Sequence, residues 1–135
     1  MKKLNIEAKT ENLDQVLAFV EEQLDELDCP PAKSIQISVA VEEVFVNISN
    51  YAYSPSVGQA EIFFDHTDDS KEMIMTFTDS GVPFNPLERE DPDVTLPAEQ
   101  RQIGGLGIFM VKKSMDDVKY EYKDGKNILT IRKFL

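Results

Sequence analysis

Glu43 and Asn47 stand four residues apart in the stretch Glu42-Glu43-Val44-Phe45-Val46-Asn47, so on a helix they project from one face. A carboxylate in that place can accept a proton from a hydroxyl or orient a water. An amide oxygen can ligate Mg²⁺, which takes one or two protein oxygens and fills its shell with phosphates and water. An ordinary polar stripe on an exposed helix has the same spacing. The surrounding residues are apolar, however, and polar side chains on an apolar helix call for a partner.

A second segment is Asp79-Ser80-Gly81-Val82-Pro83-Phe84, directly after a predicted strand. A carboxylate at a strand end can accept a hydrogen bond from an exocyclic amine such as that of adenine. The glycine behind it lets a flat ring approach the backbone. These residues are also common turn formers, so a simple turn is the competing reading. The third segment is Ile103-Gly104-Gly105-Leu106-Gly107-Ile108, at the start of a predicted helix. Its glycines let backbone N–H groups converge on an anion, assisted by the helix dipole; a hinge would look alike. No Gly-Lys-Ser/Thr follows, so it is not a Walker A loop. The motif set of eukaryotic-type protein kinases is also missing from the chain.

Hydrophobic periodicity supplies the elements that must hold these segments. Lys3 to Ala8 alternates as a strand. Asn12 stands as an N-cap before a helix whose stripe is Leu13, Val16, Leu17, Val20, Leu24 and Leu27. Asp28-Cys29-Pro30-Pro31 breaks it, and a second helix, expected to be largely buried, runs from Pro31 to Tyr51. Ala60 to Phe64 and Glu72 to Thr78 read as strands. A third helix is expected over Gly107 to Met115. Val118 to Tyr122 and Ile128 to Ile131 form a closing hairpin around Asp124-Gly125. The expected fold is α+β: a two-layer sandwich with a mainly antiparallel sheet and helices on one face. The chain has 135 residues, which suits one domain spanning 1–135.

Charge and composition narrow the function. The formal net charge is -11, which disfavours direct nucleic-acid binding but not a nucleotide held by backbone N–H groups. No apolar run reaches the roughly 18 residues of a membrane span, and no apolar core follows Lys2-Lys3, so the expected location is cytoplasmic. Cys29 is the only cysteine, which leaves no disulfide framework.

In order and spacing, Glu43-Val44-Phe45-Val46-Asn47, Asp79-Ser80-Gly81-Val82-Pro83-Phe84 and Gly104-Gly105-Leu106-Gly107 together resemble the motifs of the GHKL ATPase superfamily. Within it the chain looks like the small bacterial anti-sigma factor serine/threonine kinases. That resemblance implies the Bergerat ATP-binding fold, with ATP and Mg²⁺ as cofactors. It implies Glu43 as general base and Asn47 as the Mg²⁺ ligand, with Asn50 one turn further along the site. Asp79 would take the adenine amine, with Gly81 giving close approach and Phe84 in the same motif. Gly104, Gly105, Leu106, Gly107 and Ile108 would wrap the phosphates, and residues 84–103 would form the ATP lid. Arg101 would be a solvated lid residue or reach the γ-phosphate. Thr130, on the last strand, stands where relatives often place a hydroxyl near adenine. Tyr51 falls where some relatives carry His, which leaves the protein target open.

The implied activity is phosphorylation of a STAS-type anti-anti-sigma protein by a kinase that also holds a sigma factor. A homodimer is the assembly the resemblance suggests. The alternative is an ATP-gated protein-binding module without transfer. Histidine autokinase chemistry is disfavoured, because His66 is the only histidine and reads as a surface residue.

Overall fold

The structure is a computed structural model and describes residues 1–51, 58–69, 71–88 and 105–135. In chain order the elements are β1 (Lys2–Glu7), α1 (Leu13–Glu26), α2 (Pro31–Tyr51), β2 (Gln59–His66), β3 (Glu72–Asp79), α3 (Gly105–Ser114), β4 (Asp117–Lys123) and β5 (Lys126–Phe134). The strands form one five-stranded sheet in the order β1-β2-β3-β5-β4, with every neighbouring pair antiparallel. The α+β sandwich expected from the sequence is therefore present, and β3 is its central strand.

Alternation builds one apolar sheet face. Ile62 and Phe64 of β2, Met75 and Phe77 of β3, and Leu129 and Ile131 of β5 are buried, while the residues between them are more exposed. Val16, Val20 and Leu24 of α1, together with Ile37, Val41, Val44, Phe45 and Ile48 of α2, belong to the same core. Each such side chain contributes about 1.5–3 kcal/mol by leaving water, so the helices are held to that face by the stripes read in the sequence.

Local chemistry ends the elements where composition changes. Asp28 adopts a left-handed φ of 53°, and the Cys29 N–H donates back to the Leu24 carbonyl at 3.1 Å. This is a Schellman-type stop, and Pro31 then opens α2 with a φ already suited to a helix. Asp124 and Gly125, with φ of 53° and 77°, make the two-residue turn between β4 and β5.

Three expectations are corrected. Asn12 does not cap α1: its side-chain amide donates instead to the Glu7 carbonyl at 3.0 Å, and a short 3₁₀ turn, Thr10–Asn12, leads into the helix. Nor is α2 largely buried. Its inner stripe is, but Ile35 and Val39 are 66% and 42% exposed and line an open groove beside α1. The third helix begins at Gly105, two residues before the expected Gly107.

Candidate functional site

A cleft opens between α2, the start of α3 and the end of β3, enclosing about 420 Å³ with open solvent included. Its walls combine apolar side chains, among them Val44, Ile48, Phe77, Ile108 and Leu129, with the polar Asn47, Asp79 and Asn127. Such a surface suits a flat ring with a few polar edges: the apolar walls bury its faces and the polar groups fix its orientation.

Asp79 is the last residue of β3 and is only 6% exposed. Its Oδ1 accepts the Gly81 N–H at 2.9 Å, which closes the turn that the Asp-Ser-Gly sequence promised. It also accepts the side-chain amide of Asn127 at 2.9 Å. Asn127 lies directly opposite Asp79 in the β3–β5 register, so both side chains project from the helix-covered face. Asn127 donates further to the Val82 carbonyl at 2.9 Å and accepts the Phe84 N–H at 3.1 Å. The Tyr120 hydroxyl, from β4, donates to the same Asn127 oxygen. One buried amide thus ties the strand end, the turn after it and the edge strand together.

Sequence reasoning missed Asn127 and proposed Thr130 in its neighbourhood. The register corrects this. Asn127, Leu129 and Ile131 point toward the helices, whereas Thr130 pairs with Thr76 and Lys119 on the opposite face of the sheet, away from the cleft. One signal was available: an Asn in phase with Leu129 and Ile131 is a polar residue at an inward position, which needs partners.

On the α2 side, Asn47 lines the cleft and is half-buried. Glu43, one turn earlier, lies against the first turn of α3. A Cβ built on Gly107 would stand 2.0 Å from Glu43 Oε2 and 2.9 Å from its Cδ, so glycine is what lets the carboxyl group come this close. Burial pushes the Glu43 pKa above the ordinary carboxylate value, and the neighbouring Glu42 carboxylate pushes it further the same way. Asn50 is exposed and does not line the cleft, so the third residue expected on this face stands apart from the other two.

Around the glycine motif, Gly105 and Leu106 open α3, and Ile108 is buried in the cleft wall. Lys112 and Lys113 stand in its last turn, and the Lys133 ammonium donates to the Ser114 carbonyl at 2.7 Å. Cations at that end complement the helix dipole, whose positive end faces the Glu43 side. Gly81 and Phe84 sit in the turn beside Asp79, and Pro86–Glu88 form a short 3₁₀ turn. Gly104, Arg101 and residues 89–103 of the expected lid lie outside the described residues.

The family model for the histidine kinase-like ATPase domain matches residues 6–133. The chain belongs to that family. Its GHKL-type motifs, read above from the residues, fall inside the matched range. Among curated proteins it is similar to the serine-protein kinase RsbW of Bacillus cereus, 28% identical over 95 residues, covering 69% of this chain and 59% of the relative. The RsbW of Bacillus mycoides is 29% identical over 97 residues, with the same coverage. The chain therefore matches about six-tenths of the length of these relatives. Among solved structures, the RsbU and RsbW domains of a Mycobacterium tuberculosis protein match all of this chain and 33% of theirs, at a TM-score of 0.68 and 16% identity. The histidine kinase AdeS of Acinetobacter baumannii matches at a TM-score of 0.53 and 14% identity, over 99% of this chain and 68% of its own. Likenesses at this identity show the histidine kinase-like ATPase fold. Among the described residues, no helix is long and apolar enough to cross a membrane.

Proposed function

We propose that this chain is an ATP-dependent serine/threonine protein kinase that regulates a sigma factor by phosphorylating a STAS-type anti-anti-sigma protein. The observation that carries the reading is that Asp79 and Asn47 line one cleft, with Glu43 one helical turn from Asn47 against the start of α3, within a family named for its ATPase domain. The names of the serine-protein kinase RsbW relatives support the kinase class, and the anti-sigma setting follows from the family resemblance of the motifs.

In this reading Asp79 accepts a hydrogen bond from the adenine amine while the apolar walls take the faces of the ring. The start of α3 offers backbone N–H groups to the phosphates. Asn47 lines the cleft and carries a single amide oxygen that can serve as a Mg²⁺ ligand. That donor set fits an ion that arrives with its nucleotide. Mg²⁺ held there by Asn47 and phosphate oxygens would neutralise charge on the phosphates. Glu43 accepts the proton of the acceptor hydroxyl as its oxygen bonds to the γ-phosphorus and the bond from phosphorus to the ADP oxygen breaks. A raised pKa makes Glu43 a stronger base once it is ionised.

One observation favours the alternative, an ATP-gated binding module without transfer: Glu43 rests on Gly107 and is not among the residues lining the cleft. The decisive experiment incubates the purified chain with Mg-ATP and a STAS-domain protein and follows phosphoserine or phosphothreonine by mass spectrometry. Transfer by the parent and its loss in Glu43→Ala with ATP binding retained supports the kinase. ATP binding by the parent without transfer supports the module.

A further inference from the structure

The geometry points to Asn127 as a positioning residue that turns Asp79 into a selective reader of an exocyclic amine. The inference rests on the nucleotide-binding reading above and deepens it. An ionised carboxylate is an acceptor with two oxygens to offer. Here Oδ1 is engaged twice, by the Gly81 N–H and by the Asn127 amide, each at 2.9 Å. Oδ2 receives no hydrogen bond from any described residue, although Asp79 is 6% exposed and lines the cleft. The carboxylate is therefore clamped through one oxygen and presents the other.

Asn127 cannot bind the ligand with the same amide, because it is spent on protein. Its NH₂ donates to Asp79 Oδ1 and to the Val82 carbonyl, and its oxygen accepts from the Phe84 N–H and the Tyr120 hydroxyl. These four partners also fix which way the amide faces. A flipped amide would set its oxygen against two acceptors and its NH₂ against an N–H donor. Among side chains of this size, only a neutral amide supplies two donors and an acceptor in that arrangement. Its effect on a ligand is thus exerted through Asp79. A purine bearing an amine meets Oδ2 already aimed. A purine lacking it strips water from a buried acceptor and returns nothing, which is how polar sites discriminate strongly.

The test is calorimetric titration of the full chain with ATP and with purine riboside triphosphate, which lacks only the 6-amino group. The parent is expected to prefer ATP by about 10-fold or more. Asn127→Asp keeps the size but replaces the donor with an acceptor. Asn127→Leu removes both functions and serves if the first variant fails to fold. In either, the preference should fall to within about 2-fold, chiefly through weaker ATP binding, because a desolvated, unclamped carboxylate no longer pays back selectively. Equal weakening of both ligands with the preference intact would show a purely structural role and overturn the inference. A parent that binds both ligands equally would overturn it while leaving the nucleotide reading standing. A parent that binds neither would sink the nucleotide reading itself, and the inference with it.

Discussion

Glu43 Oε2 occupies the space where residue 107 would carry its Cβ, with only 2.0 Å between them. The proposed base and the proposed phosphate loop are therefore one packing unit, and a methyl group on α3 is felt first by a carboxylate on α2. Gly107→Ala should displace Glu43 and lower phosphotransfer by about 10²-fold or more, the lower range of what a positioned base contributes. ATP affinity should change only a few-fold. Removing the carboxylate should reverse the stability effect. In a Glu43→Ala background, Gly107→Ala should stabilise the fold by up to about 1 kcal/mol, the helix preference of Ala over Gly. Urea unfolding of the parent, both single variants and the double variant would show this as a coupling between the two sites.

The raised pKa of Glu43 gives a pH signature. The base acts ionised, so transfer should rise with pH through a value above that of an ordinary Glu. Glu42→Gln removes the neighbouring like charge and should move that limb to lower pH. Stability carries the opposite sign. A carboxyl whose folded pKa is raised contributes stability below its unfolded pKa and loses it as pH rises through the folded pKa. Glu43→Gln should therefore be more stable than the parent at pH 7, with the gain vanishing under acid conditions. Thermal melts across pH would check this, and a gain that grew as pH fell would contradict it.

Asn47 is the described amide oxygen in the cleft on the α2 side, so Asn47→Ala should weaken Mg-ATP binding by about 10-fold or more. The same variant should bind metal-free ATP nearly as the parent does. Titrations with Mg²⁺ and with EDTA separate the two effects. Equal weakening in both would assign Asn47 to the nucleotide rather than to the metal.

Thr130 faces away from the cleft, paired with Thr76 and Lys119. Thr130→Val should leave ATP affinity within about 2-fold of the parent, since a surface change remote from the ligand removes no contact. Nucleotide titration is sufficient, and a 10-fold loss would put the Thr130 hydroxyl in contact with the nucleotide.

The contrast between Thr130 and Asn127 shows what could be read from the sequence. The helices were legible because their stripes recur every three or four residues, and the strands because they alternate. The Glu43–Asn47 spacing and the Asp79 turn are local patterns, and both reach the cleft region. Asn127 is not a local pattern. Its role arises from facing Asp79 across two strands separated by 48 positions in the chain. No spacing within β5 reports that pairing. The misjudged cap at Asn12 has a similar origin: a side chain that could serve its own helix found a carbonyl at the end of β1. The exposure of Ile35 and Val39 likewise depends on how α2 sits beside α1, and composition does not record this.

The two-residue turn at Asp124-Gly125 has a reach beyond the hairpin it closes. It sets the phase of β5 against β4, and from there which alternate residues look toward the helices. One residue inserted or deleted at that exposed tip, if the slip carried through β5 while β3 held its place, would send Asn127 outward and bring Ile128 or Lys126 to face Asp79. If Asp79 reads the base as proposed, base choice would be gauged by the length of a surface turn that need never touch the ligand, and drift in that length among homologues would be a route by which nucleotide preference changes without any substitution in the cleft.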